Sequence, residues 1–142
     1  MCGIVGYVGD KQAQHVVIDG LRRLEYRGYD SAGIALVDDG RLATDKRAGK
    51  LANLEKILDE HPLPAAQIGI GHTRWATHGP PNDVNAHPHT GDARRVALVH
   101  NGIIENFADL RARVESDGHE LISDTDTEIV ACLVELQVQS GC

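Results

Sequence analysis

A mixed α+β fold is predicted by three features of the sequence. Short runs of small and β-branched apolar residues alternate with segments whose apolar residues recur at helical spacing. An Asp-Gly turn joins two of the strand-like runs into a hairpin. The 142 residues, 42% apolar and 25% charged, have the composition of one globular domain and are too few for two independent cores.

Residues 2–8 (CGIVGYV) form an apolar run and are expected as a strand buried on both faces. Lys11 to Glu25 sets Val16, Val17, Leu21 and Leu24 along one helical side, ending near Gly28. Ser31 to Val37 and Arg41 to Arg47 flank Asp38-Asp39-Gly40, whose glycine supplies the positive φ of a hairpin turn. Lys50 to Glu60 is a second amphipathic helix through Leu51, Leu54, Ile57 and Leu58, closed by His61-Pro62. Gln67 to Arg74 is a further strand. The long segment that follows, Trp75 to Ala93, holds Pro80, Pro81 and Pro88 with little periodicity; a loop of that length in a compact domain is usually functional or mobile.

The chain then returns to a strand at Arg95 to His100, followed by Asn101-Gly102. Asn106 is the expected N-cap of a helix to Ser116, with Gly118 as its C′ residue. A short strand at Glu120 to Ile122 leads to Thr125 and Glu128, which have capping-box spacing ahead of a helix through Ile129, Leu133 and Leu136.

Composition narrows the function classes. Fourteen basic residues against 21 acidic ones give a net charge of −7, and no basic cluster offers a nucleic-acid footprint. No apolar run nears the roughly 20 residues that span a bilayer, and the first residues lack the basic stretch of a secretory signal. A cytoplasmic location without membrane contact is therefore expected. The three cysteines, Cys2, Cys132 and Cys142, form no C-x-x-C pair, and their odd number argues against a structural disulfide. Cys132 is expected to be buried on its helix, and Cys142 to be an exposed terminal thiol.

Four groups could carry chemistry. The small side chain of Cys2 suits removal of Met1, after which thiol and α-amine belong to one residue. An amine of pKa about 7.7 to 8.0 can then accept the thiol proton without a histidine; alternatively, Cys2 is a small buried hydrophobe. Asn101-Gly102 offers a side-chain amide and an unhindered backbone N–H as oxyanion donors, or simply forms a turn. Arg74, at a strand end, can fork onto a carboxylate or lie on the surface. Asp126, in the first turn of a helix, can pair with a ligand ammonium or cap the helix. An arginine and an aspartate presented together would suit an amino acid.

Histidines His72, His78, His87, His89 and His100 crowd one third of the chain, but without H-E-x-x-H or a nearby cysteine. Hydrogen-bonding and loop-ordering roles are expected, with no metal; a metal-dependent hydrolase is the competing reading.

Six strings occur in one order: CGIVG at 2–6, EYRGYDSAG at 25–33, HTRWATHG at 72–79, NAHPH at 85–89, HNGIIEN at 100–106 and SDTDTE at 123–128. The series resembles the glutaminase domain of the glutamine–fructose-6-phosphate aminotransferase (isomerising) family, over essentially the whole chain. The resemblance implies a class II glutamine amidotransferase domain with the N-terminal nucleophile hydrolase fold, a four-layer αββα sandwich. It further implies that residues 1–142 are that domain cut short at its C-terminus, with the sugar isomerase domain absent.

Roles follow from the same resemblance. Cys2 would attack the side-chain amide of glutamine, with Asn101 and Gly102 holding the oxyanion. Arg74, assisted by Thr77 and His78, would bind the α-carboxylate and Asp126 the α-ammonium, while Trp75 would gate ammonia passage. Arg27, Tyr29 and His87 would lie in supporting positions. No cofactor is implied. Glutamine would be the partner, fructose 6-phosphate would bind only through the missing domain, and the full-length enzyme would be a homo-oligomer. The competing expectation is a silent fragment that binds glutamine or a partner chain without turnover.

Overall fold

A computed structural model describes residues 1–141; Cys142, and with it the expectation of an exposed terminal thiol, lies outside the described residues. The chain forms β1 (Gly3–Val8), α1 (Ala13–Leu24), a 3-10 turn (Glu25–Arg27), β2 (Ser31–Asp38), β3 (Arg41–Ala48), α2 (Leu51–Glu60) and β4 (Ile68–Arg74). It continues through β5 (His89–Thr90), β6 (Ala97–Leu98), α3 (Phe107–Ser116) and α4 (Asp126–Gln139).

Four strands make an antiparallel sheet in the order β1-β4-β2-β3. Alternation along β2 sends Ala32, Ile34 and Leu36 to one face, where they pack with Val17 and Leu21 of α1 and Leu51, Leu54 and Leu58 of α2. These helices present apolar residues at i, i+3 and i+4 spacing, so each buries a single stripe. The β2–β3 turn is tighter than its sequence suggests: only Asp39 and Gly40 lie between the paired residues Asp38 and Arg41. Both have positive φ, 46° and 74°, as a two-residue primed turn requires.

The second layer is small. β5 and β6 pair antiparallel, and α4 packs against them with α3 alongside. Val114, Ile129 and Cys132 form the centre of this second core, with Phe107, Leu110, Leu121 and Leu133 around it. Cys132 is buried, as expected, and burial pushes its thiol up to about 11. The loop before β5 lies against the first sheet at Gly33, where a Cβ would stand 1.9 Å from the carbonyl oxygen of His87. Helix layer, sheet, sheet and helix layer follow one another.

Four expectations need correction. β1 is not buried on both faces: it is an edge strand, and Ile4 and Val8 are 47% and 78% exposed because α1 covers only the opposite face. The strand at Arg95 to His100 shrinks to Ala97–Leu98, the part that meets β5. Residues 120–122 form no strand; the backbone N–H groups of Ile122 and Ser123 instead donate to Glu128, at 2.9 and 2.6 Å. Glu128 thus binds ahead of the N-cap, and Thr125, which is the N-cap, turns its hydroxyl to His89 at 2.8 Å rather than closing a capping box. Asn106 is likewise the N-cap of α3 but makes no side-chain capping bond, while Gly118 follows the helix with φ 89°.

Candidate active site

The antiparallel register of β1 and β4 pairs Gly3 with Thr73, which brings Cys2 beside the residues that leave β4. The Trp75 N–H donates to the Cys2 sulfur at 3.1 Å, and the Gly3 N–H donates to the Thr73 hydroxyl at 3.1 Å. Cys2 is 9% exposed, and its accessible side opens on a cavity of about 190 Å³. Four segments distant in sequence line this cavity: Cys2, Arg74 with Trp75 and Thr77, His100 through Ile103, and Asp126 with Thr127. His87 completes the wall.

Arg74 is 3% exposed. One guanidinium nitrogen, Nη2, donates to the carbonyl of His78, while Nη1 is buried without a partner among the described residues. Burial disfavours its charge, and Asp30, Cys2 and Asp126 oppose that effect. A buried, unpaired fork of this kind can receive a carboxylate. Asp126 opens α4, and its Oδ2 accepts the Ile104 N–H at 2.8 Å. A cation and an anion on the walls of one small cavity match the two charges of an amino acid. The Asn101 amide donates to the carbonyl of Cys2 at 3.4 Å, so this side chain already sits over the cysteine.

The remaining sequence-derived residues lie differently. The His78 ring packs edge-on against Phe107 at 4.6 Å, so His78 meets Arg74 through its carbonyl only. The Tyr29 hydroxyl donates to Glu25 and accepts the Leu51 N–H at 2.7 Å, anchoring α2; burial, with help from Glu25, pushes it up to about 12. Arg27 is absent from the cavity wall, but the carbonyls of Arg27 and Gly28 accept the Met1 ammonium at 3.0 and 2.8 Å. With Met1 in place, the Cys2 nitrogen is part of a peptide bond.

The histidines stack. His72 lies on His87 with ring centroids 4.4 Å apart, and His89 meets His87 edge-on at 4.7 Å. Burial depresses all three, His72 to about 4, His89 to about 3 and His87 further still, so the stack is neutral at pH 7. Among the described residues no three His, Cys, Asp or Glu side chains are grouped to hold a metal ion.

The sequence alone assigns Asp30 no role, yet its N–H donates to the Arg74 carbonyl and its Oδ2 accepts the Ala76 N–H, both at 2.7 Å. It therefore brackets the turn that carries Arg74 and Trp75. Its place in the EYRGYDSAG string was the only signal, because backbone partners leave no mark in a sequence.

An αββα sandwich whose N-terminal strand carries a cysteine into a cavity beside Asn-Gly, arginine and aspartate defines the N-terminal nucleophile type of amidotransferase fold. Solved structures agree. The chain superposes on the allosteric regulatory enzyme of purine biosynthesis with a TM-score of 0.79 at 28% identity, covering 95% of this chain and 29% of that one. For the glutamine phosphoribosylpyrophosphate amidotransferase of B. subtilis the TM-score is 0.73 at 27% identity, with the same coverage. A family profile described as glutamine amidotransferase domain matches residues 59–140, and the chain belongs to that family.

Among curated relatives, the chain is 71% identical over 134 residues to the glutamine–fructose-6-phosphate aminotransferase (isomerizing) of Streptomyces coelicolor, covering 94% of this chain and 22% of the relative. It is 60% identical over 143 aligned residues to the same-named protein of Mycobacterium bovis, covering 99% of this chain and 23% of that relative. The chain thus spans less than a quarter of the length of these relatives. No described helix is long and apolar enough to cross a membrane.

Proposed function

We propose that this chain is the glutaminase unit of a glutamine–fructose-6-phosphate aminotransferase, hydrolysing glutamine to glutamate and ammonia. The observation that carries the reading is the cavity that gathers Cys2, Arg74, Asn101, Gly102 and Asp126.

The site residues divide the work as follows. Removal of Met1 frees the Cys2 α-amine, which takes the proton from Sγ. The sulfur attacks the side-chain carbonyl carbon of glutamine. The Asn101 amide and the Gly102 N–H donate to the resulting oxyanion, whose charge is worth more to stabilise in a small cavity than in bulk water. Collapse breaks the C–N bond, the amine returns its proton to the leaving nitrogen, and ammonia departs. Water then adds to the thioester, the amine again taking a proton, and glutamate leaves with the thiol restored. Arg74 Nη1 holds the substrate α-carboxylate and Asp126 the α-ammonium; Thr77 and the carbonyl of His78 fix this end of the site. Trp75, half exposed at the cavity mouth, stands where ammonia would leave.

In the complete enzyme the ammonia would convert fructose 6-phosphate to glucosamine 6-phosphate. That sugar would bind on an isomerase domain outside residues 1–142, in a cytoplasmic homo-oligomer. The 71% identity to the Streptomyces coelicolor aminotransferase supports this assignment over other amidotransferases. The test is covalent: a glutamine-analogue electrophile should label the processed chain once, at Cys2. Labelling that survives Cys2→Ala unchanged would remove the nucleophile from the proposal.

A further inference from the structure

The segment at residues 85–89 lies between the two sheets, and three of its side chains reach three parts of the site. Asn85 Oδ1 accepts the Asp124 N–H at 2.9 Å, His87 Nδ1 accepts the His100 N–H at 3.3 Å, and His89 Nε2 shares a hydrogen bond with the Thr125 hydroxyl at 2.8 Å. His100 directly precedes Asn101-Gly102, and Asp124 and Thr125 directly precede Asp126. The position of this one segment therefore sets both ends of the cavity.

One side chain of the first sheet reaches three carbonyls of the segment. Lys46, on β3, donates to the carbonyls of Val84 at 2.9 Å, Ala86 at 2.8 Å and Pro88 at 3.3 Å. Three ammonium hydrogens meet three carbonyls that alternate along the chain and bracket His87. Opposite Lys46 in the β2–β3 register is Gly33, whose missing side chain lets the His87 carbonyl approach the sheet. Lys46 draws the segment down where Gly33 makes room for it.

We propose that Lys46 is a positioning residue of the glutamine site, acting through residues 84–88 on the oxyanion dipeptide Asn101-Gly102 and on Asp126. The inference rests on the glutaminase reading above for its kinetic consequences, not for its geometry. The groups around the ammonium are Glu128 of α4 and Asp83, which favour its charge, and Arg74 of β4 and Arg94, which oppose it. His87 and His89 also face it, as neutral rings. Burial is the largest influence and lowers Lys46 to about 8. Above that pH a neutral amine has two hydrogens for three carbonyls, and one contact is lost.

The experiment uses the whole chain with Met1 removed and compares wild type, Lys46→Met and Lys46→Arg. Glutamine hydrolysis is followed from about pH 6.5 to 10, a range that spans the lysine titration. In Lys46→Met, kcat/KM should fall roughly tenfold or more, through a lower kcat from the displaced oxyanion donors and a higher KM from the displaced Asp126. Lys46→Arg, which keeps its donors charged at every pH tested, should recover activity to within about threefold of wild type. It should also lose the decline that wild type shows above about pH 8.

A Lys46→Met chain within about twofold of wild type would overturn the proposal, as would a Lys46→Arg profile that keeps the same decline. If Lys46→Met does not fold, the Lys46→Arg profile decides. Amide hydrogen exchange of residues 100–104 and 122–127 is read alongside, because it needs no turnover. Exchange there should quicken roughly tenfold in Lys46→Met relative to α1, and equal exchange would reject the positioning role. Wild-type chain without turnover, but with the expected exchange change, would count against the glutaminase reading and leave Lys46 in its positioning role.

Discussion

The backbone N–H of Trp75 donates to the sulfur of Cys2 at 3.1 Å, across the end of the β1–β4 pair. This N–H belongs to the residue next to Arg74, whose side chain lines the same cavity. Cys2 and Arg74, the proposed nucleophile and carboxylate-binding residue, thus meet at one turn, which Asp30 brackets from both sides.

Arg74→Ala should raise KM for glutamine by roughly 30- to 150-fold, the range of a lost charge-assisted bond of about 2–3 kcal/mol. Alkylation of Cys2 by iodoacetamide, which has no carboxylate, should change little. Steady-state kinetics and the alkylation rate check the two halves. A similar loss in both would mean that Arg74 serves the fold rather than the substrate.

Asp126→Asn keeps an acceptor for the Ile104 N–H but removes the charge proposed to pair with the α-ammonium of glutamine. The expected result is a KM increase of about tenfold or more with kcat nearly retained. The preference for glutamine over its deamino analogue, glutaramate, should also collapse. A variant that still discriminates between them would show that the ammonium binds elsewhere.

Acid should unfold the chain early. Each of His72, His87 and His89 is depressed below the ordinary value of 6.5, so between that pH and its folded value the unfolded chain binds more protons. Stability is therefore unaffected above about pH 6.5 and falls as pH drops toward 4, with a limiting slope of about 4 kcal/mol per pH unit for three groups. Urea midpoints measured from pH 7 to 5 check the sign and the size. His89→Gln should flatten the slope by about a third.

Gly33→Ala should displace the loop at residues 84–88, since a Cβ there would lie 1.9 Å from the His87 carbonyl oxygen. A cost of about 1–3 kcal/mol is expected for such overpacking, with activity falling as well because His87 moves. Thermal melts and glutamine turnover on the same variant test both effects.

Local signals made much of this architecture legible. α2 was readable from Leu51, Leu54 and Leu58, and the hairpin from Asp39-Gly40, because periodicity and turn chemistry act over a few residues. The cavity residues were picked out by chemical type: a cysteine at position 2, Asn-Gly after an apolar run, and arginine at a strand end. Contacts between distant segments were not legible. The run at 95–100 pairs at only two residues because β5 offers only two, and Ile122 lies 80% exposed although its composition suggests a strand. Lys46 gave no signal, since its partners are backbone carbonyls some forty residues away. His78 was expected to help bind the carboxylate, but its ring lies against Phe107 and only its carbonyl meets Arg74.

The most direct test compares glutamate release by the chain with Met1 retained and with Met1 removed, each form verified by intact mass. If the Cys2 α-amine is the base, only the trimmed form should hydrolyse glutamine, because in the other that nitrogen is an amide and the free ammonium, that of Met1, is held by the Arg27 and Gly28 carbonyls. Equal turnover by both forms would contradict the account.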